Sequence, residues 1–296
     1  LKMIDFEQRF NDYRAYINEK LAAYVATDGS KICDSMNYSV MAGGKRIRPV
    51  LALECCRLCC GDYKKATAFA CALEIIHSYS LIYDDLPCMD NDTMRRGKPT
   101  NHVVFGEDIA LMAGMGLYCR AFEIVTDTYK EFGLTETQLI DGIKALLKAS
   151  GMNGIVLGQV LDIDNVAGKH TDLDYIQRVH DYKTSAMLEA SSEVGAICGG
   201  ATEKQRAALL EYSKNIGLAF QIRDDILDVT GTDGNMGKTL GKDRESGKTT
   251  FVDIFGVGGA QRKVVELTER AKSAISCFYD GGFLISFADY LCGRDN

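Results

Sequence analysis

Two aspartate clusters carry the first chemical signal: Asp84-Asp85-Leu86-Pro87-Cys88-Met89-Asp90, with Asp92 just beyond, and Asp224-Asp225-Ile226-Leu227-Asp228. Each lies on an apolar stretch, where adjacent carboxylates are costly to bury without compensation. One such cluster alone suits a solvated helix end as well as it suits a cation. Two of them favour a hard cation, and magnesium takes one or two carboxylates together with phosphate oxygens and water. Asp224 and Asp228 are four apart and share a helix face. Asp84 and Asp90 would point roughly 240° apart on a continuous helix. Pro87 removes that conflict, because it disfavours helix at Leu86 and lets the chain turn Asp90 back toward the first pair.

Basic residues gather in three groups: Gly43-Gly44-Lys45-Arg46-Ile47-Arg48-Pro49, Arg95-Arg96-Gly97-Lys98, and the loop from Gly237 and Lys238 to Gly247 and Lys248. In the first, two glycines free the backbone and Pro49 suits an opening helical turn, so amides, Lys and Arg could make an anion site or an ordinary basic loop. The third has P-loop composition without the preceding strand that a nucleotide site needs. Each aspartate cluster is followed by cations, and a third basic loop stands apart. Such an array could hold one diphosphate with magnesium and a second without metal. Each diphosphate carries about three negative charges, which an apolar bundle accepts only with this compensation.

The elements that must position these groups read as helices. Apolar residues recur three and four apart over 51–58, 66–83, 109–126, 173–197 and 207–229. The stretch 66–83 is apolar nearly all round, the mark of a helix inside a large core. No strand alternation occurs and no Asn-Gly pair joins two alternating runs, and after Pro99 no proline interrupts helix. Glycines divide the chain into about ten helices with no polar linker, so the expectation is one all-α domain over 1–296, a bundle around a central cavity.

Composition narrows the classes further. With 46% hydrophobic and 25% charged residues among 296, the chain can fold as an ordinary globular domain without staples. Its eleven cysteines include Cys55-Cys56-Arg57-Leu58-Cys59-Cys60, with no matching pair at zinc spacing; they read as small core residues in a reducing compartment. The acid-containing start does not read as a signal peptide, and no run approaches the roughly 18 apolar residues of a membrane span. The expected location is cytoplasmic. A net charge of −7 argues against a nucleic-acid partner.

The motifs GGKRIRP, DDLPCMDNDTMRRGKPTNH, GMNGIVLGQVLDI, YKTSAML and FQIRDDILDVTGT, with the glycine-lysine loop, run from about Met41 to Arg294. Over that length the chain resembles the trans-isoprenyl diphosphate synthases, especially bacterial-type farnesyl and geranylgeranyl diphosphate synthases. The resemblance implies three Mg²⁺ ions, with Mn²⁺ able to substitute. Asp84, Asp85 and Asp90 would hold two and Asp224 the third, with Asp225 and Asp228 supporting that side. Arg95, Lys183, Lys238 and Lys248 would contact the allylic diphosphate; Gly44, Lys45, Arg48, His77 and Arg96 would hold isopentenyl diphosphate. His77 without the resemblance would read as a core residue, as His102, His170 and His180 still do. Thr184, Gln221 and the Lys183 backbone would stabilise a carbocation, and Gln159 and Asp162 lie near the cavity. A homodimer is the family expectation. Met115, Met236 and Phe251-Val252 depart from the family pattern without removing a proposed ligand.

The implied reaction is ionisation of the allylic diphosphate, alkylation of isopentenyl diphosphate and loss of a proton to the released diphosphate, under a lid formed by the loop 231–247. Product length should be set one turn before Asp84, by Tyr79 and Ser80. An aromatic residue in the place of Tyr79 implies farnesyl product; geranylgeranyl product is the alternative. A class I terpene cyclase would need only one diphosphate site, and a non-catalytic subunit of a heteromeric synthase commonly lacks one aspartate motif. This chain has material for two diphosphates and keeps both motifs.

Overall fold

The apolar stretch 66–83 becomes α4 (Thr67–Asp84), whose Phe69, Leu73, Ile75 and Ile76 have no exposed surface. Burying such side chains contributes about 1.5–3 kcal/mol each, so packing rather than helix propensity holds this element. Around it stand α1 (Lys2–Tyr24), α2 (Lys31–Val40), α3 (Ile47–Cys60), α6 (Glu107–Thr128), α7 (Glu136–Ser150) and α10 (Ala186–Cys198). The remaining helices are α5 (Asn101–Phe105), α8 (Ile155–Asp164), α9 (Leu173–His180), α11 (Glu203–Thr230), α12 (Phe251–Ala274) and α13 (Gly282–Cys292). The structure is a computed structural model and describes residues 2–165, 169–230 and 248–293. It is an all-α bundle, as the spacing predicted. At 28 residues α11 is the longest, roughly 42 Å, and packs along α10 and α12.

Three features differ from the sequence expectation. A two-residue hairpin pairs Met94–Arg95 with Lys98–Pro99, closed by Arg96 (φ 54°) and Gly97 (φ 74°). Two successive left-handed residues make the tight turn that hairpins favour, without an Asn-Gly pair to announce it. The stretch 173–197 is not one helix: a π turn at Asp181–Ser185 separates α9 from α10. Third, α6 and the segment Tyr63–Asp84 are long and apolar enough to cross a membrane by length and composition. The Tyr63–Asp84 window is 78% buried, as a core helix must be; that of α6 is only 39% buried and leaves an apolar stripe exposed.

The eleven cysteines form no disulfide. Cys55, Cys56, Cys71 and Cys198 are core residues, and Cys55 faces the Ser192 hydroxyl at 3.6 Å where α3 meets α10.

Candidate active site

The end of α4 folds as Pro87 required. The Asp90 amide donates to the Asp84 carbonyl at 2.9 Å, and the Met89 and Asn91 amides donate to the Leu86 carbonyl at 2.9 and 3.1 Å. Asn91 takes a left-handed φ of 51° to complete the turn. Asp90 thus returns to the end of the helix that carries Asp84 and Asp85.

Burial pushes the Asp84 carboxyl up to about 6; Asp90 and Asp85 add to the shift, while Lys183 and Arg95 oppose it. Burial is the largest cause, so the charged carboxylate is costly here unless a cation joins it. Asp85, also raised by burial, is ion-paired to Arg95, with Nε at 2.6 Å and Nη2 at 2.5 Å from its Oδ1. Among the described residues no three His, Cys, Asp or Glu side chains form a ready metal cage. Partly buried carboxylate oxygens fit a hard cation that completes its shell with phosphate oxygens and water.

The first basic loop splits by side-chain direction. Arg46 adopts φ 53° and turns inward, donating to Glu74 at 2.6 Å, to Asn18 at 2.9 Å and to the Val40 carbonyl at 2.8 Å. It is a structural residue. Arg48, two positions on, has a buried Nε with no hydrogen-bond partner. Burial lowers its pKa, with Arg96 adding to the effect and Glu74 and Asp224 opposing it. A desolvated guanidinium with an unused donor is what an incoming diphosphate oxygen would satisfy.

Gly44 lies against Arg96: a Cβ there would stand 2.8 Å from the guanidinium carbon, and its φ of 125° disfavours any side chain. Arg96 also donates to the Gly43 carbonyl and lies 3.9 Å from Glu74. Lys45 is exposed, and His77 is half-buried on α4. Glu74, which joins Arg46 to Arg96, is a residue the sequence reading passed over; an acid inside an all-round apolar helix was its signal.

The π turn at Asp181–Ser185 carries the next group of residues. Its extra residue per turn disrupts the helical ladder, as π turns at functional sites often do. The Thr184 hydroxyl donates to Gln221 Oε1 at 2.7 Å, joining this turn to α11. Lys183 Nζ binds Asp162 at 2.5 Å, and Lys248 Nζ binds the same Asp162 oxygen at 2.8 Å. Burial would lower the Lys183 ammonium pKa, but Asp162, Asp84 and Asp90 outweigh it and hold it above the usual lysine value.

Lys183 thus feels the first aspartate cluster, and Arg48 feels Asp224 of the second. Asp224 and Asp228 are half-exposed on α11. Asp225 is buried: its oxygens accept from the Phe251 amide at 3.1 Å and from Gln221 at 3.3 Å, with His180 at 3.6 Å. It ties α11 to α12, a supporting place. Phe251 stacks on His180, whose pKa burial lowers to about 4, so both residues serve packing. Lys238, Met236 and the loop 231–247 lie outside the described residues.

Tyr79 lies one turn before Asp84, edge-on to Tyr83 at 5.0 Å and to Tyr118 of α6 at 5.2 Å. Tyr118 in turn meets Phe122 and places its hydroxyl 3.2 Å from that of Ser150. Ser80 is buried and donates to the His77 carbonyl at 2.9 Å. Tyr79 therefore belongs to a cluster of four rings from two helices, of which the sequence reading singled out only Tyr79.

Comparison with known proteins gives a consistent result. The polyprenyl synthetase profile matches residues 30–276. A farnesyl diphosphate synthase of Geobacillus stearothermophilus is 39% identical over 299 residues, covering all of both chains. A chloroplastic geranylgeranyl pyrophosphate synthase of Capsicum annuum is 41% identical over 300 residues, covering 98% of this chain and 80% of the plant protein. The crystal structure of an FPP/GFPP synthase from Zymomonas mobilis superposes with a TM-score of 0.86 at 33% identity, covering 98% of this chain and 99% of the other. Motif turn, basic walls and whole-chain likeness agree: the chain is a prenyltransferase belonging to the polyprenyl synthetase family.

Proposed function

We propose that this chain condenses isopentenyl diphosphate with dimethylallyl and geranyl diphosphate and stops at farnesyl diphosphate. The observation that carries the product length is the aromatic bracket of Tyr79, Tyr83 and Tyr118 one turn behind the aspartate pair. A tail growing along α4 from Asp84 meets these rings. Relatives named for farnesyl and for geranylgeranyl product match about equally well, and the small Ser80 beside Tyr79 favours the geranylgeranyl alternative.

In this reading Arg95, Lys183, Lys238 and Lys248 bind the allylic diphosphate, and Lys45, Arg48, His77 and Arg96 bind isopentenyl diphosphate, with Gly44 opening the space. Mg²⁺ held by Asp84, Asp85, Asp90 and Asp224, with Asp225 and Asp228 in support, supplies positive charge to the departing diphosphate. The Lys183 carbonyl in the π turn, Thr184 and Gln221 face the allylic cation left behind, and apolar walls keep water from it. An oxygen of the departing diphosphate takes the proton lost from the carbon next to the newly formed carbon–carbon bond. Eleven cysteines without a disulfide suit a reducing compartment such as the cytoplasm. A second copy of the chain is proposed to cover the apolar stripe of α5 and α6.

The test supplies labelled isopentenyl diphosphate, Mg²⁺ and dimethylallyl or geranyl diphosphate, then identifies the dephosphorylated product. A fifteen-carbon alcohol is expected. A twenty-carbon main product selects the geranylgeranyl reading, a cyclic hydrocarbon a cyclase, and no condensation a non-catalytic subunit.

A further inference from the structure

Gly158 and Asp162 stand four apart on α8 and so share one face. That face touches the π turn closely: a Cβ on Gly158 would overlap the backbone of Tyr182 and Lys183. One turn later Asp162 reaches the Lys183 side chain and also that of Lys248, which enters from the segment leading into α12. A single carboxylate oxygen thus gathers two ammonium groups from distant parts of the sequence. Asp162 itself is held well, because α8 is fixed by the Tyr175 hydroxyl on the Leu161 carbonyl at 2.9 Å and only 13% of its side chain is exposed.

We propose that Asp162 is a positioning residue for the allylic diphosphate, preassembling Lys183 and Lys248 so that one phosphoryl group meets both. The inference rests on the prenyltransferase reading above and extends it to a residue that need not touch substrate. Two ammonium groups this close repel each other, and without a shared anion they separate or one loses its proton. Asp162 keeps both charged and in place before substrate arrives, so no reorganisation is needed when charge develops on the leaving group. Burial raises the Asp162 carboxyl, but the two lysines overcome that and hold it below the usual carboxylate range. Among the described residues, Asp84, Asp90, His180 and Tyr175 are titratable groups whose charges reach this trio.

The test compares wild type, Asp162→Asn and Asp162→Glu in the full chain. For Asp162→Asn, kcat should fall about tenfold or more while KM for the allylic substrate changes less than about threefold. The alkaline limb of the pH profile should move down by about one unit, and Asp162→Glu, which keeps the charge, should leave that limb unmoved. Wild-type kcat and pH profile in Asp162→Asn would overturn the proposal. So would a kcat loss of equal size in both variants with no movement of the limb, the pattern of a merely structural residue. A readout independent of activity is the pH dependence of acetic anhydride labelling at Lys183 and Lys248, followed by mass spectrometry. At least one lysine should become reactive about one unit lower in Asp162→Asn. No shift there sinks the inference even if wild type condenses nothing, which would instead count against the prenyltransferase reading.

Discussion

On the proposed reading, Tyr79 sits where residue identity decides product. Its ring is half-buried between Tyr83 and Tyr118, and an aromatic side chain of this kind fills 150–250 Å² of surface when buried. Tyr79→Ala removes the middle of the bracket and leaves room behind Asp84. Products should lengthen, with twenty-carbon and longer chains replacing the fifteen-carbon one; chain-length analysis showing no change would remove Tyr79 from the floor. The identity of this residue was legible in the sequence. The contribution of Tyr118 was not, because the two positions meet only when α4 and α6 pack. Arg46 and Arg48 teach the same lesson: the sequence shows two guanidinium groups in one loop, and only packing turns one onto Glu74 and leaves the other with an unused donor.

At the scale of elements, α8 and the π turn form the contact on which the lysine array depends. Gly158→Ala places a methyl group against backbone that cannot rotate away. Overpacking of this type costs about 1–3 kcal/mol, and relief requires the turn carrying Lys183 and Thr184 to move. Thermal unfolding should show the loss, and kcat should fall more than about tenfold because misplacement by an ångström is costly to catalysis. Val160→Ala, at an exposed site two residues on, should stay within about 0.5 kcal/mol of wild type. A Gly158→Ala protein as active and stable as that control would show the contact to be slack. The turn at Asp90 was foreseeable from Pro87, whereas the π turn was hidden in an uninterrupted helical spacing.

For the whole molecule, the exposed apolar stripe is the outstanding surface. Val103 and Val104 of α5 and Leu111, Met112 and Met115 of α6 are each more than 40% exposed. Large contiguous apolar patches on a folded surface mark interaction sites. Met115, one of the departures from the family pattern, belongs to this stripe. If a second copy covers it, light scattering should give wild type twice the 32.5 kDa chain mass. Met112→Asp, which places a charge in that interface, should return the single-chain value. A monomeric wild type at micromolar concentration would end the dimer proposal.

The sequence alone determined the helical class, the buried character of α4, and the aspartate and basic groups that chemistry requires. Each depends on residue type and on spacing within a turn or two, which local geometry translates directly. The tertiary structure decided what those groups face: Arg46 inward and Arg48 unsatisfied, Asp225 locked to Phe251, and Lys183 gathered with Lys248 on Asp162. Those pairings join residues up to 86 positions apart. They are set by how helices pack and which charges are desolvated together, and neither quantity exists until the chain has folded.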